Sequence, residues 1–114
     1  MSSSVNKAIL IGNVGKPPEM KTTQDGATVA LFSVATSESW KDKATGEKKT
    51  NTEWHSVVIF NEALIDVTSK YIRKGSKVYV EGRLQTKTWV DKSGVERYVT
   101  QVVLPKFGGA LSVL

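Results

Sequence analysis

The sequence of 114 residues contains no cysteine and a single histidine. The lack of cysteine excludes a disulfide framework and thiolate chemistry, and it fits a reducing compartment. One histidine without cysteine also argues against a zinc site. There is no glycine-rich phosphate loop, and the hydroxyl side chains form no visible set of nucleophile, base and acid with that histidine. We therefore expect no catalytic residues, no metal and no cofactor.

Long apolar runs are missing as well. The N-terminal stretch "MSSSVNKAILIGNVG" has a short apolar run that Gly12 and Asn13 interrupt, and it lacks a basic start. Such a run is too short to cross a bilayer, so we expect no signal peptide, no membrane helix and no membrane partner. The chain does carry positive charge, with a formal net charge of +5. This balance favours a polyanionic partner such as nucleic acid.

Turn signals recur along the chain at "GKPPE", "TQDGA", "ATGEK" and "DKSG". The intervening runs, rich in β-branched and aromatic residues, predict strands at 5–14, 28–37, 52–60, 76–90 and 95–104. The segment "NEALIDVTSKYIRKG" has helical period instead, with Asn61 as its cap and Gly75 as its stop. Its predicted apolar face contains Leu64, Val67, Thr68, Tyr71 and Ile72.

This order of elements predicts an all-β domain over 1–114. The pattern is that of a five-stranded OB-fold barrel with one α-helix between strands 3 and 4. A small sandwich or an open α+β sheet would also accommodate the same elements. The fold alone would not define the function.

Strand alternation predicts which side chains share a face. Within 52–60, Trp54 and Phe60 share one face and lie about 20 Å apart at the usual rise of a strand. Within 76–90, Leu84 is expected on the inner face and Trp89 on a solvent-facing row with Lys87 and Arg83. Gly82 is a candidate for a bend in this long strand.

The tryptophans border basic segments. Trp40 and Trp54 flank the lysine-rich segment within "SWKDKATGEKKTNTEWHSVVIF". Each of these aromatics alone could equally be a core residue. Together with the lysines they match single-strand binders, in which bases stack on aromatic faces at about 1–3 kcal/mol each while cations neutralise phosphates. Such binding would be largely tolerant of sequence.

The motifs "VNKAILIGNVGKPPE", "ATSESWKDKATGE", "TEWHSVVIF", "YIRKGSKVYVEGRLQTKTW" and "DKSGVERY" together resemble the single-stranded-DNA-binding protein family of bacteria and mitochondria. The resemblance is colinear from about residue 5 to residue 104. It implies a non-enzymatic OB-fold that assembles as a homotetramer. Such an assembly binds and protects single-stranded DNA during replication, recombination and repair.

The resemblance also implies roles for individual residues. Base stacking is expected at Trp40, Trp54, Phe60 and Trp89. Basic positions along the DNA path are Lys43, Lys49, Lys74, Lys87 and Arg97. Tyr71 matches a tyrosine near DNA, although its helical period slightly favours core packing. Subunit association is expected to involve His55, Lys77, Tyr79 and Glu81, and His55 on a strand is also a natural structural hydrogen-bonder.

The sequence departs from the family pattern in places. Glu62 and Gln85 stand where some relatives carry a basic residue, and the chain stops at "FGGALSVL" without an acidic, disordered tail. Replication and repair proteins are therefore expected partners only if the full-length protein has such a tail. We expect the bacterial cytoplasm, at the nucleoid, rather than the mitochondrial matrix, because no transit peptide is seen.

Two alternative functions remain at this point. One is a primosome-type OB module that serves protein assembly. The other is an OB-type nuclease, for which Glu62 and Asp66 could share a helix face as a metal pair. A solvated helix face explains these two acids better than a metal site does.

Overall fold

In the computed structural model, which describes residues 3–114, the chain forms seven strands and one helix. In chain order they are β1 Ala8–Val14, β2 Glu19–Thr22, β3 Thr28–Lys41, β4 Lys48–Ile59, α1 Glu62–Tyr71, β5 Lys77–Val90, β6 Glu96–Leu104 and β7 Ala110–Val113.

Five of the strands close into a ring. β1 pairs with β3 and β5, β3 with β4, β4 with β6, and β6 with β5. The β4–β6 pair is parallel, and the other ring pairs are antiparallel. α1 lies in the chain between β4 and β5, which are the third and fourth strands of the ring. This architecture confirms the predicted OB-fold barrel, and closure of the ring rules out the sandwich and the open sheet.

The sequence missed two short strands and the full length of two others. β2 pairs with β3, and β7 pairs with β5, at the margins of the ring. β2 is the exposed four-residue segment "EMKT", which has no apolar alternation to reveal it. β3 and β4 extend beyond the predicted ends to form a two-stranded ribbon, in which Lys41 pairs with Lys48. Polar ribbon residues lack the hydrophobic pattern on which strand prediction depends.

The core is aliphatic with one aromatic member, Phe32, among the described residues. Its central side chains come from the inward-facing rows of the ring strands and from the end of the helix. They include Val14, Ala30, Phe32, Val34, Val57, Ile59, Ile72, Val78, Val80, Val102 and Leu104. No described tryptophan belongs to this core, so all three are left to face outward.

The helix begins as predicted but ends differently. The Asn61 side chain accepts a hydrogen bond from the Leu64 N–H at 3.3 Å, and Thr68 is buried with its hydroxyl donating to the Leu64 carbonyl at 2.8 Å. The chain leaves the helix after Tyr71, and Ile72 turns into the core. Gly75 lies in the turn that follows, at φ +89°, and is not the residue that stops the helix.

Two side chains expected inside are exposed. The helical period slightly favours core packing for Tyr71, but 64% of this residue is exposed because Ile72 takes the inward position at the helix end. Leu84 is about half exposed. It lies beyond Gly82, where β5 leaves β1 and continues with β6 as a second ribbon. A Cβ at Gly82 would lie 2.5 Å from the Val103 carbonyl oxygen, so the two strands require glycine at this corner.

Candidate nucleic-acid interface

The β3–β4 ribbon presents Trp40 beside a cation. Trp40 pairs directly with Lys49, so the two side chains share one face of the ribbon. The opposite face carries cross-strand hydroxyl hydrogen bonds, Ser37 to Thr52 at 3.0 Å and Ser39 to Thr50 at 3.1 Å. These bonds help to hold the two polar strands together outside the ring.

The tip of this ribbon is organised by Asp42. Its Oδ1 accepts hydrogen bonds from the N–H groups of Ala44 and Thr45, and its Oδ2 lies 3.2 Å from Lys49 Nζ. The Ala44 N–H first, and then Lys49, hold the pKa of Asp42 below its usual value. Lys49 is therefore partly neutralised within the protein, whereas Lys43 is exposed and has no ion pair among the described residues.

Trp54 rests on the backbone of Gly15. A Cβ on Gly15 would lie 2.3 Å from Cζ3 and 2.7 Å from Cη2 of the indole, so the ring occupies the space that a side chain would need. The turn that carries Lys74 is adjacent, because the Gly75 N–H donates to the Val14 carbonyl at 2.7 Å. Trp54 and Lys74 thus lie near the same end of β1.

The register separates Trp54 from Trp40. Trp54 pairs with Ala35, and Trp40 pairs with Lys49. Because successive side chains of a strand alternate between its faces, this register places the two indoles on opposite faces of the β3–β4 sheet. A strand of DNA that touches both must cross an edge of the ribbon or pass its tip.

Phe60 lies in a groove with basic walls. A groove of about 560 Å³ is lined by Phe60, Lys21 and Lys87, together with Gln85 and Gln101. We call this the Phe60 groove. Lys87 is exposed and has no ion pair among the described residues. Lys87, one of the cations predicted to follow DNA, thus shares a groove with a predicted stacking aromatic.

The β5–β6 ribbon repeats the arrangement of the first ribbon. Trp89 pairs directly with Arg97, so an indole and a guanidinium share a face. Arg97 Nε donates to Asp91 Oδ2 at 2.9 Å. This guanidinium, and then the backbone N–H groups of Val95 and Ser93, hold the pKa of Asp91 below its usual value. Arg97, like Lys49, is thus partly neutralised within the chain.

All the predicted stacking aromatics are accessible. The exposed fractions of Trp40, Trp54, Phe60 and Trp89 lie between 41% and 61%. Tyr71 is more exposed still, at the last residue of α1. The alternative that these side chains form the core is therefore wrong. Large aromatics left in water on a domain with an aliphatic core are typical of a binding surface.

Three comparisons with known proteins bear on this surface. The sequence model of the "Single-strand binding protein family" matches residues 5–108. The chain belongs to this family. It is 53% identical over its full length to the single-stranded DNA-binding protein of Rhizobium meliloti and 54% identical to that of Rickettsia conorii. The chain spans 66% of the length of the first relative, just under two thirds, and 75% of the second.

A solved structure of the family is closely similar. The Plasmodium falciparum SSB, in a complex with ssDNA, matches this chain with a TM-score of 0.88 and 39% sequence identity. The match covers 100% of this chain and 98% of that one. Membership of this family of DNA-binding proteins confirms the prediction that the chain is not an enzyme.

Three of the four residues expected at a subunit contact, Lys77, Tyr79 and Glu81, lie together on β5. On β5, Tyr79 OH donates to Glu81 Oε1 at 3.0 Å, which raises the pKa of Tyr79. Lys7 Nζ lies 3.5 Å from Glu81 Oε2. Lys77 precedes them on the same strand and pairs with Asn13 of β1. By alternation, Lys77, Tyr79 and Glu81 all face outward.

Sequence reasoning missed two apolar members of this surface, Ile9 and Ile11. They pair directly with Glu81 and Tyr79, and about half of each is exposed. We call these two isoleucines with Lys7, Tyr79 and Glu81 the β1–β5 patch. The signal was present in "AILIG", where both faces of the strand are apolar. A strand with two apolar faces needs cover on both.

His55 has a local role in the fold. Its Nε2 hydrogen-bonds with Thr36 Oγ1 at 2.8 Å, and the ring is partly buried. This agrees with the structural hydrogen bond expected for a histidine on a strand.

The described residues offer little for the nuclease alternative. Asp66 is paired with Lys70 at 3.1 Å on the helix surface. Within residues 3–114, no group of three acidic or histidine side chains is placed to hold a metal ion. In the same part of the chain, no helix is long and apolar enough to span a membrane.

Proposed function

We propose that this chain binds single-stranded DNA without strong sequence preference, with bases stacked on Trp40, Trp54, Phe60 and Trp89. The observation that carries the proposal is the outward placement of all three tryptophans. Tryptophan and phenylalanine bury large apolar areas when they serve folding. Here the core is built from aliphatic side chains, so these aromatics are free to stack on bases.

Cations beside the aromatics support the same proposal. Lys43, Lys49, Lys74, Lys87 and Arg97 would neutralise phosphates, and Tyr71 would contribute a further exposed ring. Two of these cations already have an acidic partner, Lys49 with Asp42 and Arg97 with Asp91. Lys43, Lys74 and Lys87 are therefore expected to release more counterions on binding than the two paired cations do.

Self-association completes the proposal. We infer a homotetramer in which the β1–β5 patch, with Lys77 and His55, contributes to contacts between subunits. Exposed isoleucines beside a Tyr–Glu–Lys network combine apolar area with polar groups that can fix orientation. The assembled protein would protect single strands during replication, recombination and repair at the bacterial nucleoid.

The decisive experiment is a titration with poly-dT at several salt concentrations, with tryptophan emission as the readout. Stacked indoles should be strongly quenched. Log affinity should fall with log salt at about −0.7 for each neutralised phosphate. Weak quenching at saturation, or affinity that does not respond to salt, would contradict the proposal. Equal affinity for duplex DNA would instead favour the assembly module.

Light scattering with and without oligo-dT tests the assembly separately. Four copies in the free protein support the tetramer, and one DNA strand shared by the assembly supports wrapping. A protein that is monomeric with and without oligo-dT but still binds the DNA would refute the role of the β1–β5 patch. The proposal of DNA binding would then stand.

A further inference from the structure

The loop between β6 and β7 carries an aromatic that the proposed stacking set does not include. Phe107 is 88% exposed, the highest fraction for an aromatic residue in the described chain. Nothing in the described structure packs over most of the Phe107 ring, although the domain has an apolar core. Burying such a side chain away from water is favourable by about 1.5–3 kcal/mol, so a base that stacked on the exposed ring would be stabilised.

This loop is fixed to the segment that carries Phe60. The Phe60 N–H donates to the Leu104 carbonyl at 2.8 Å, and Asn61 Nδ2 donates to the Gly108 carbonyl at 3.2 Å. Gly108 and Gly109 adopt φ values of +129° and +76°, which other residues rarely adopt. The loop therefore has a defined course, and Phe107 is held at a set position relative to Phe60.

Neighbouring hollows lie along the surface between the two aromatics. The Phe60 groove shares Phe60 with a hollow of about 810 Å³ that is also lined by Arg83 and Lys106. That hollow adjoins a third one, lined by Lys106, Phe107 and the first residues of α1. Consecutive hollows share lining residues, so one chain of nucleotides can follow them from Lys87 past Phe60 to Phe107.

The chemistry at the far end repeats that of the two ribbons. Lys106 Nζ lies 5.9 Å from the centre of the Phe107 ring, as Lys49 neighbours Trp40 and Arg97 neighbours Trp89. Asp25 and Glu62 line the central hollow and disfavour phosphate there, while Arg83 and Lys106 supply the opposite charge. An extended single strand can keep its phosphates on the side of the two cations and turn a base towards the phenyl ring.

We propose that Phe107 and Lys106 form a further subsite for single-stranded DNA beyond Phe60. A base stacks on Phe107, and Lys106 neutralises an adjacent phosphate. The subsite rests on the proposed function, since it extends the same DNA path.

Two variants and one matched control test the subsite with the full chain. Phe107→Ala should weaken binding of oligo-dT about tenfold, within the range for loss of one stacked base, without a change in the salt slope. Lys106→Gln should reduce the magnitude of that slope by about 0.7. Tyr98→Ala is the control, because Tyr98 is exposed but alternation places it on the opposite face of its ribbon from Arg97. The affinity of the Tyr98→Ala variant for oligo-dT should equal that of the wild type.

Photocrosslinking locates the base directly. Oligo-dT with 5-iododeoxyuridine should give a crosslinked peptide containing Phe107, identified by mass spectrometry. If the wild type binds the oligonucleotide and crosslinks at Trp54 or Phe60 but not at Phe107, the subsite is wrong and the proposed function stands. If the wild type fails to bind, the proposed function itself fails. A Phe107→Ala variant that dissociates the assembly with unchanged affinity per subunit would overturn the subsite and assign the ring to a second copy.

Discussion

The contact between Gly15 and Trp54 allows a proposed stacking residue to be displaced without being mutated. Alanine at position 15 would place its Cβ 2.3 Å from Cζ3 of the indole, where ordinary contact begins at 3.4 Å. The ring must therefore move by about 1 Å or rotate away, since carbon atoms attract optimally at about 3.5–4.0 Å. Gly15 has no left-handed backbone angle, so alanine introduces no backbone strain there.

The expected effect is large for binding and small for folding. Trp54 is mostly exposed, and the atoms in the clash belong to the far end of its side chain. The ring can swing into solvent with little loss of buried area, so we expect the free energy of unfolding to change by less than about 1 kcal/mol. A displaced platform should lose the contribution of one stacked base, about 1–3 kcal/mol, or roughly 5- to 150-fold in affinity.

A double-mutant cycle tests whether Gly15→Ala weakens DNA binding through Trp54. Gly15→Ala, Trp54→Ala and the double variant are compared by oligo-dT titration and by thermal unfolding followed by circular dichroism. If Gly15→Ala acts by moving the indole, it should have little further effect in the Trp54→Ala background. Equal losses in both backgrounds would refute the reasoning, as would a Gly15→Ala variant that unfolds far more easily while it binds normally.

Three further predictions concern charge and assembly. Lys87→Gln should reduce the magnitude of the salt slope by about 0.7, whereas Arg97→Gln should reduce it less because Arg97 is already paired with Asp91; equal changes in titrations at several salt concentrations would contradict this ranking. The folded-state pKa of Asp91 lies below its ordinary 3.8, so the carboxylate stabilises the fold above that pH and the contribution is lost as the pH falls through the depressed pKa. Melting curves from pH 7 to pH 2 should therefore show wild type and Asp91→Asn converging as the pH falls below the ordinary value of 3.8, and a constant gap would exclude the carboxylate charge as the cause. Ile11→Glu should lower the mass seen by light scattering, because a buried carboxylate without a partner opposes association, with the exposed Val95→Glu, on the β5–β6 turn, as a control that keeps the wild-type mass.

Much of the fold follows from local patterns. The five ring strands and the helix were predictable because β-branched runs between turn signals and a 3.6-residue apolar period are properties of short segments. β2 and the outer parts of β3 and β4 were not, because their strand conformation comes from pairing with neighbours rather than from their own hydrophobicity. Tyr71 was misplaced for a similar reason: the helix stops at Tyr71, and only the packed structure reveals that Ile72 takes the inward position.

The candidate site was predicted as a set of residues but not as an arrangement. Alternation placed Trp54 and Phe60 on a common row and Trp89 on a row with Lys87, because parity along a strand is local. The positions of Lys49 and Arg97 beside Asp42 and Asp91 depend on how each ribbon tip folds. The sequence does not single out Phe107, because a lone aromatic in "PKFGG" has no pattern around it.

The sequence by itself determined the chemistry of this protein: no thiols, one histidine, an excess of cations, and tryptophans placed beside basic segments. These are properties of residue types and of their spacing along the chain. Only the tertiary structure decided which face of each strand meets water, because closure of the ring, and not alternation, defines an inside. The tertiary structure also placed Trp54 against Gly15, put Trp40 on the opposite face of the same sheet, and brought Phe107 near the Phe60 groove. Each of these arrangements depends on strand register or on residues that are distant in the chain.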